Sequence, residues 1–314
     1  MTHTDKVIPI VPIRLSHSAI ETLLTCERKF QLERLLVNDV EREETEHTVF
    51  GKAFGAGVAT YLTTQDKDQA LFQAWLTYYP ELETDKKSQA KCLRALMAAF
   101  PKLDMLLIDY EMVYFEDKPA VELSFRINLS EHFYFVGYID AVLRHRQTKV
   151  CFVLEAKTTG LQLLDLDPLY KNSGQALGYS IALDRIVGKE QSAYGVLYFV
   201  GQLQKDGGAK IHVLPYNKTL LDRLNWFISL AQDINRLDVM REMNVYPMRG
   251  KSCLNFNRPC RYFGVCGLKA ADVLKHREED TIQYDFVYTL DELVTSHIAR
   301  VKQPNQQRNV IQEI

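Results

Sequence analysis

Five consecutive apolar residues, Val150-Cys-Phe-Val-Leu154, run directly into Glu155-Ala-Lys157. An unbroken apolar run of this length reads as a strand covered on both faces, with polar groups placed at its end. Charged side chains at the end of a buried strand are the usual site of chemistry in open sheets. Strand patterns surround this run. Val121–Leu129 alternates through Leu123, Phe125 and Ile127, and Phe133–Leu143 follows. Ala193–Val200 and Ile211–Pro215 are joined through Gly207-Gly208. Arg144 to Thr148 reads as the turn before Val150. Helical periodicity is expected over residues 16–36, 49–63, 68–78, 86–109, 173–186 and 218–240. Ser18 and Glu21 have capping-box spacing in the first of these, and Cys26 lies inside it. This order predicts an α/β (α+β) chain whose central sheet carries helices on at least one face.

The expected organisation is one integrated domain in four stretches. Residues 1–110 form a helical N-terminal region and 111–240 the core. Residues 241–284 form a cysteine-rich segment, and 285–314 a loose extension.

The chain has 314 residues, 46% of them hydrophobic, enough for a large core. Its net charge of −2 means that any nucleic-acid surface must be a local patch. No apolar run approaches the roughly 18 residues needed to cross a bilayer. The N-terminus lacks the layout of a signal peptide, so a cytoplasmic protein with no membrane partner is expected. In that reducing setting, six cysteines point to metal or redox chemistry before disulfides. No glycine-rich stretch has phosphate-loop spacing, so neither a nucleotide cofactor nor an intrinsic motor is expected.

The segment Gly137-Tyr-Ile-Asp140 ends fifteen residues before Glu155. Adjacent strands lie about 4.8 Å apart, so Asp140 and Glu155 can converge on one cation. Glu155 and Lys157 share a face, because side chains alternate along a strand. Phosphodiester hydrolysis requires an activated water and neutralisation of phosphate charge. A hard divalent cation held by carboxylates supplies both, and a neighbouring lysine can orient the water. The competing reading is an ordinary surface ion pair between strands, which would be nearly neutral in energy.

These segments together resemble the PD-(D/E)XK nuclease superfamily, in its RecB-like branch of CRISPR-adaptation nucleases and phage-type exonucleases. Gly137-Tyr-Ile-Asp140 resembles the G-x-I/V-D motif, and Glu155-Ala-Lys157-Thr the central E-x-K-T. Glu122 resembles the acid of the preceding strand, and Gln175-Ala-Leu-Gly-Tyr179 the Q-x-x-x-Y helix. The resemblance covers roughly residues 16 to 266. It implies a restriction-endonuclease-like mixed sheet flanked by helices. It also implies Mg²⁺ or Mn²⁺ held by Asp140, Glu155 and the Ala156 carbonyl. Lys157 and Glu122 would act at the scissile bond, and Gln175 and Tyr179 would position the strand. The branch usually has G-x-x-x-H on an early helix, and here Gly51 to Gly55 puts glycine where that ligand would stand.

Cys253, Cys260 and Cys266 are separated by six and five residues in a turn-rich segment. Thiolates suit an iron–sulfur cluster or zinc, and three of them need a fourth ligand. Cys92 and Cys151 fall in apolar elements and read as packed thiols. The resemblance selects Cys26 as the fourth ligand and implies a 4Fe-4S cluster, with Zn²⁺ or free thiols as the alternatives. Arg249, Lys251, Arg258, Arg261 and Lys269 cluster there, with Phe256, Tyr262 and Phe263 between them. Lys251, Arg258 and Arg261 are candidate phosphate contacts, and Tyr262 a candidate stacking surface, unless the aromatics instead shield the cysteines.

The expected function is a metal-dependent nuclease acting on single-stranded DNA or duplex ends. Recombination, replication, repair and CRISPR-linked processing are the candidate pathways, in a bacterial or phage-infected cell, with a helicase or recombination protein as a possible partner. The alternative from another class is a nuclease-like DNA-binding subunit without catalysis.

Overall fold

The computed structural model describes residues 12–35, 45–162, 168–188, 193–255, 258–267 and 282–302. The strands in chain order are β1 (Ile13–Leu15), β2 (Tyr110–Met112), β3 (Tyr114–Phe115), β4 (Lys118–Pro119), β5 (Val121–Asn128) and β6 (Phe133–His145). They continue with β7 (Cys151–Thr159), β8 (Ala193–Leu203), β9 (Ala209–Thr219), β10 (Leu254–Asn255), β11 (Arg258–Pro259) and β12 (Phe286–Thr289). The main helices are α1 (His17–Thr25), α2 (Glu27–Phe30), α3 (Glu46–Thr64), α4 (Lys67–Thr77) and α5 (Gln89–Asp109). After them come α6 (Gly174–Tyr179), α7 (Leu183–Ile186), α8 (Leu220–Met243) and α9 (Leu290–Val301).

The central sheet is mixed, in the order β12-β5-β6-β7-β8-β9, with β1 and β2 also paired to β6. β6 and β7 are antiparallel, β7 and β8 parallel, and β8 and β9 antiparallel. The parallel pair needs a crossover, which accommodates α6 and α7. Cys151 to Leu154 are all buried, as the apolar run requires. Two-sided burial of this strand leaves its polar end as the place where charged groups can collect.

The chain divides into two compact units. One comprises residues 42–124, 138–226 and 295–314. Its core packs α3 and α5 on the sheet through Phe50, Phe54, Leu96, Leu143, Leu154 and Phe199, and α4 on those two helices through Ala70 and Ala74. The other comprises residues 1–41, 125–137 and 227–294. Among its fully buried side chains are Leu15, Phe30, Phe125, Phe133, Phe135 and Phe227. Each unit draws on three stretches of the chain. Contact between distant stretches, which periodicity does not encode, sets these borders.

Three local expectations also change. The helix expected over 16–36 is capped at Ser16, whose side chain makes no capping bond, so the Ser18–Glu21 box is not used. It is broken at Cys26, which is extended at φ −164°. The break is held from outside: Ser252 Oγ donates to the Thr25 carbonyl at 2.6 Å, and Arg249 Nε donates to Glu27 at 2.8 Å. The turn expected at Arg144 and His145 is strand, because both pair with β2. Residues 286–301 of the expected loose extension form β12 and α9. Leu290, Leu293, His297 and Arg300 recur at helical spacing and are buried. The expected tail beyond 302, Phe256 and Lys269 lie outside the described residues.

Candidate active site

The site begins where a hydrogen-bond ladder stops. Pairing between β6 and β7 runs from Arg144↔Cys151 to Ala141↔Leu154. Asp140 and Glu155 are the next residue on each strand. There the strands are joined differently: the Ala156 N–H donates to Asp140 Oδ2 at 2.8 Å. β7 stays paired to β8 through this stretch, with Glu155 opposite Tyr198 and Lys157 opposite Val200. One edge of β7 is thus rigidly held while the other turns its polar side chains into a shared space.

Glu155 is 3% exposed. Its Oε1 accepts from Lys157 Nζ at 2.6 Å and from Gln175 Nε2 at 2.8 Å. Its Oε2 is buried and has no hydrogen-bond partner. A buried carboxylate oxygen left unpaired is costly and calls for a ligand that the protein does not itself provide. Burial pushes the Glu155 carboxyl up to about 8, and Asp140 and Glu122 add to the rise against the pull of Lys157. Burial likewise raises Asp140, opposed by the Ala156 N–H and by Lys157.

Glu122 stands at φ +50°, in the left-handed region that non-glycine residues rarely adopt. Strain of this kind gathers at functional sites. Part of the Glu122 side chain is open to solvent. Protein packed around the carboxyl nevertheless pushes it up to about 7, with Asp140 the second cause. Glu122, Asp140, Glu155, Ala156 and Lys157 all line one cavity of ≈ 570 Å³, within the range of ligand clefts. Gly51, Lys52 and Gly55 of α3 form part of its wall, as does His47. A Cβ at Gly55 would have no other atom within 4 Å, so the position is open to a side chain's first carbon. Sequence reasoning passed over Lys52, although its place one turn from the Gly51–Gly55 face was the available signal.

Gln175 and Tyr179 are not in that wall. Gln175 accepts from Lys157 Nζ at 3.0 Å and donates to the Tyr179 hydroxyl at 3.1 Å. Tyr179 is buried, and that burial, with Glu155 second, holds its hydroxyl well above the usual tyrosine range. The pair therefore reaches the site through Glu155 and Lys157.

Carboxylates of one buried site beside a lysine suit a divalent cation chemically, and the unpaired Glu155 oxygen supports the fit. Among the described residues, no group of three or more His, Cys, Asp or Glu side chains is placed to hold a metal ion. A cation here would rest on Asp140 and Glu155, with backbone carbonyl and water completing its shell.

In the other unit, Cys26, Cys253, Cys260 and Cys266 are free thiols lining one small cavity. Burial raises the Cys266 thiol, opposed by Arg28 and reinforced by the other three cysteines. Cys92 and Cys151 are buried elsewhere, as packed thiols. The donor chemistry suits iron–sulfur or zinc, although the thiols are not drawn into ligating geometry. Lys251, Arg258 and Arg261 line a separate cleft with Lys29. Tyr262 is 8% exposed and faces the thiol cavity, with the Arg261 guanidinium 5.0 Å from the centre of its ring.

Paired acids and a lysine where the ladder between two buried strands stops, on a mixed sheet flanked by helices, suit the chemistry of a nuclease. The chain matches the PD-(D/E)XK nuclease superfamily over residues 14–267, and it belongs to that family. No curated protein matches it in sequence. Among solved structures it is similar to a candidate exonuclease from Eubacterium rectale, at 12% identity and TM-score 0.44, covering 81% of this chain and 91% of that one. It is also similar to SSO0001, at 18% identity and TM-score 0.26, covering 70% and 86%. Likeness at these levels carries no argument about activity.

Proposed function

We propose that the chain is a Mg²⁺- or Mn²⁺-dependent deoxyribonuclease that acts on single-stranded DNA or duplex ends, with exonuclease action the favoured mode. One observation carries the proposal: Glu155 is enclosed, yet keeps one oxygen unpaired beside Asp140 and Lys157. A divalent cation bound by Asp140, Glu155 and the Ala156 carbonyl supplies Lewis-acid activation and neutralises phosphate charge. Lys157 orients the attacking water and balances the charge that develops on the phosphate. Glu122, at the same cavity, holds a further water or takes up a proton. Gln175 fixes the Glu155 carboxylate and the Lys157 ammonium relative to each other, and Tyr179 backs Gln175.

The four cysteines would hold a 4Fe-4S cluster as a structural tie, with Zn²⁺ the alternative. Arg258, Arg261 and Lys251 would bind DNA phosphates. The setting fits a bacterial or phage-infected cell, in recombination, replication, repair or CRISPR-linked processing, with a helicase or recombination protein as partner.

The test is digestion of labelled DNA carrying a blocked 5′ or 3′ end, with Mn²⁺. Stepwise shortening from one end supports the exonuclease mode, whereas cutting of doubly blocked DNA replaces it with endonuclease action. For the cysteines, anaerobically purified protein should absorb near 400 nm, roughly where thiolate-bound iron does. Cys260→Ser should lose that band; a colourless protein containing zinc would reject iron–sulfur. A second reading, a DNA-binding subunit without catalysis, is favoured by the open position at Gly55. It predicts DNA binding with no metal-dependent cleavage.

A further inference from the structure

Helix α6 carries Gln175 and Tyr179, and it is only six residues long with glycine at two of them. Glycine is a poor helix former, so something other than propensity holds this turn. Gly174 and Gly178 are one turn apart, as are Gln175 and Tyr179, so each pair defines a face. The glycine face is covered by Trp226. A Cβ at Gly174 would lie 2.7 Å from the indole Nε1, and one at Gly178 would lie 2.7 Å from Cη2 and Cζ2. The indole thus lies lengthwise across both glycines. With the ring where it stands, a methyl group at either position would force it to shift.

Arg223 lies one turn before Trp226 on α8, and it holds the rest of the same segment. Its Nε donates to Ser180 Oγ at 2.9 Å, its Nη2 donates to the Ser180 carbonyl, and its Nη1 donates to Asp184 at 3.0 Å. The first turns of α8 therefore fix residues 174–184 by a charged contact at one end and an aromatic plate at the other. On the adjoining face of this fixed segment, Gln175 reaches both Glu155 Oε1 and Lys157 Nζ.

We propose that Trp226 is a positioning residue for the nuclease site: its indole, seated on Gly174 and Gly178, sets the height of α6 and so the placement of Gln175 against Glu155 and Lys157. This rests on the reading of Asp140, Glu155 and Lys157 as the nuclease centre. Trp226 acts through Gln175 and does not itself meet the reacting atoms. Displacements of about 1 Å at such a site cost on the order of 100-fold in rate.

The experiment uses the full chain and two readouts: kcat and KM for single-stranded DNA cleavage with Mn²⁺, and Mn²⁺ affinity by calorimetry. Gly178→Ala should lower kcat by about 10- to 100-fold with little change in KM, and should weaken Mn²⁺ binding. Trp226→Phe should give a smaller loss. Combining the two should recover part of the Gly178→Ala defect, because the smaller ring makes room for the methyl. In a Gln175→Ala background neither change should lower kcat or Mn²⁺ affinity further. Equal losses in both backgrounds would mean general destabilisation and overturn the proposal. If Gly178→Ala does not fold, Trp226→Phe with and without Gln175→Ala decides the matter. A damaging Gln175→Ala beside silent Gly178→Ala and Trp226→Phe overturns the role of Trp226 alone. A wild-type chain that neither cleaves DNA nor binds Mn²⁺ overturns the nuclease reading and this proposal with it.

Discussion

Replacing Asp184 by asparagine should lower the melting temperature substantially while leaving shape nearly unchanged. Asp184 Oδ1 accepts from Arg223 Nη1 at 3.0 Å and from the Tyr194 hydroxyl at 2.7 Å, and Oδ2 accepts from Arg300 Nη1 at 2.8 Å. The Arg223 side chain is fully enclosed, at 0% exposure, and that of Asp184 nearly so, at 8%. Burial is the largest influence on the Asp184 carboxyl and acts to raise it, yet Arg223, Arg300 and Tyr194 together hold it below its ordinary value. Burial pulls Arg223 down despite Asp184; burial is also the largest influence on Arg300, but Asp184 and Tyr194 together raise it above its ordinary value. Asparagine would leave two guanidinium groups without their anion, one of them sealed from water. Removing one partner of a buried pair costs about 3–5 kcal/mol. At about 2–4 °C per kcal/mol for chains somewhat shorter than this, the melting point should fall by roughly 6–20 °C. Scanning calorimetry at neutral pH and in acid gives the test. The depressed carboxyl contributes stability that is fully present above its unfolded pKa of about 3.9 and is lost as pH falls through the lower folded value. The gap between wild type and variant should therefore hold at neutral pH and close below about pH 4. A variant melting within about 2 °C of wild type, as loss of a surface pair would give, refutes the reasoning.

Two further predictions concern the cavity. Burial raises the Glu155 carboxyl to about 8 and Glu122 to about 7, so a cation at Glu155 competes with a proton there. Mn²⁺ binding should release protons at pH 7 and tighten as pH rises toward 8, as calorimetry in buffers of different ionisation enthalpy would show; pH-independent binding would contradict it. By the same sign, these raised acids favour the metal-free fold at low pH, and that stability is lost as pH climbs through the two values. Gly55→His should tighten Mn²⁺ binding by about 10-fold, since the open position at Gly55 can supply an imidazole ligand. Unchanged affinity in a folded variant would show that the histidine does not reach the cation.

The centre of the fold was legible because burial there leaves a periodic trace. The run Val150–Leu154 and the alternation of Val121–Leu129 correspond to β7 and β5 within a few residues. Asp140, Glu155 and Lys157 were legible for the same reason, since strand geometry alone brings them together. Short edge strands were not: β1 and β2 have three residues each, too few for a period to register. The kink at Cys26 is imposed by Arg249 and Ser252, more than two hundred residues away, so no local signal marks it. For Tyr262 the sequence left stacking on DNA and shielding of the cysteines equally open, because its burial against the thiol cavity is a tertiary fact. The contacts of Gln175 with Glu155 and Lys157, and the seat of Trp226 on two glycines, are tertiary facts that spacing only hints at.

The central claim is that Lys157 works beside Asp140 and Glu155 in breaking phosphodiester bonds. Cleavage of labelled single-stranded DNA with Mn²⁺ should proceed in the wild-type chain and fall by about 100-fold or more in Lys157→Ala of matched melting temperature. Equal cleavage by the two proteins would contradict the account.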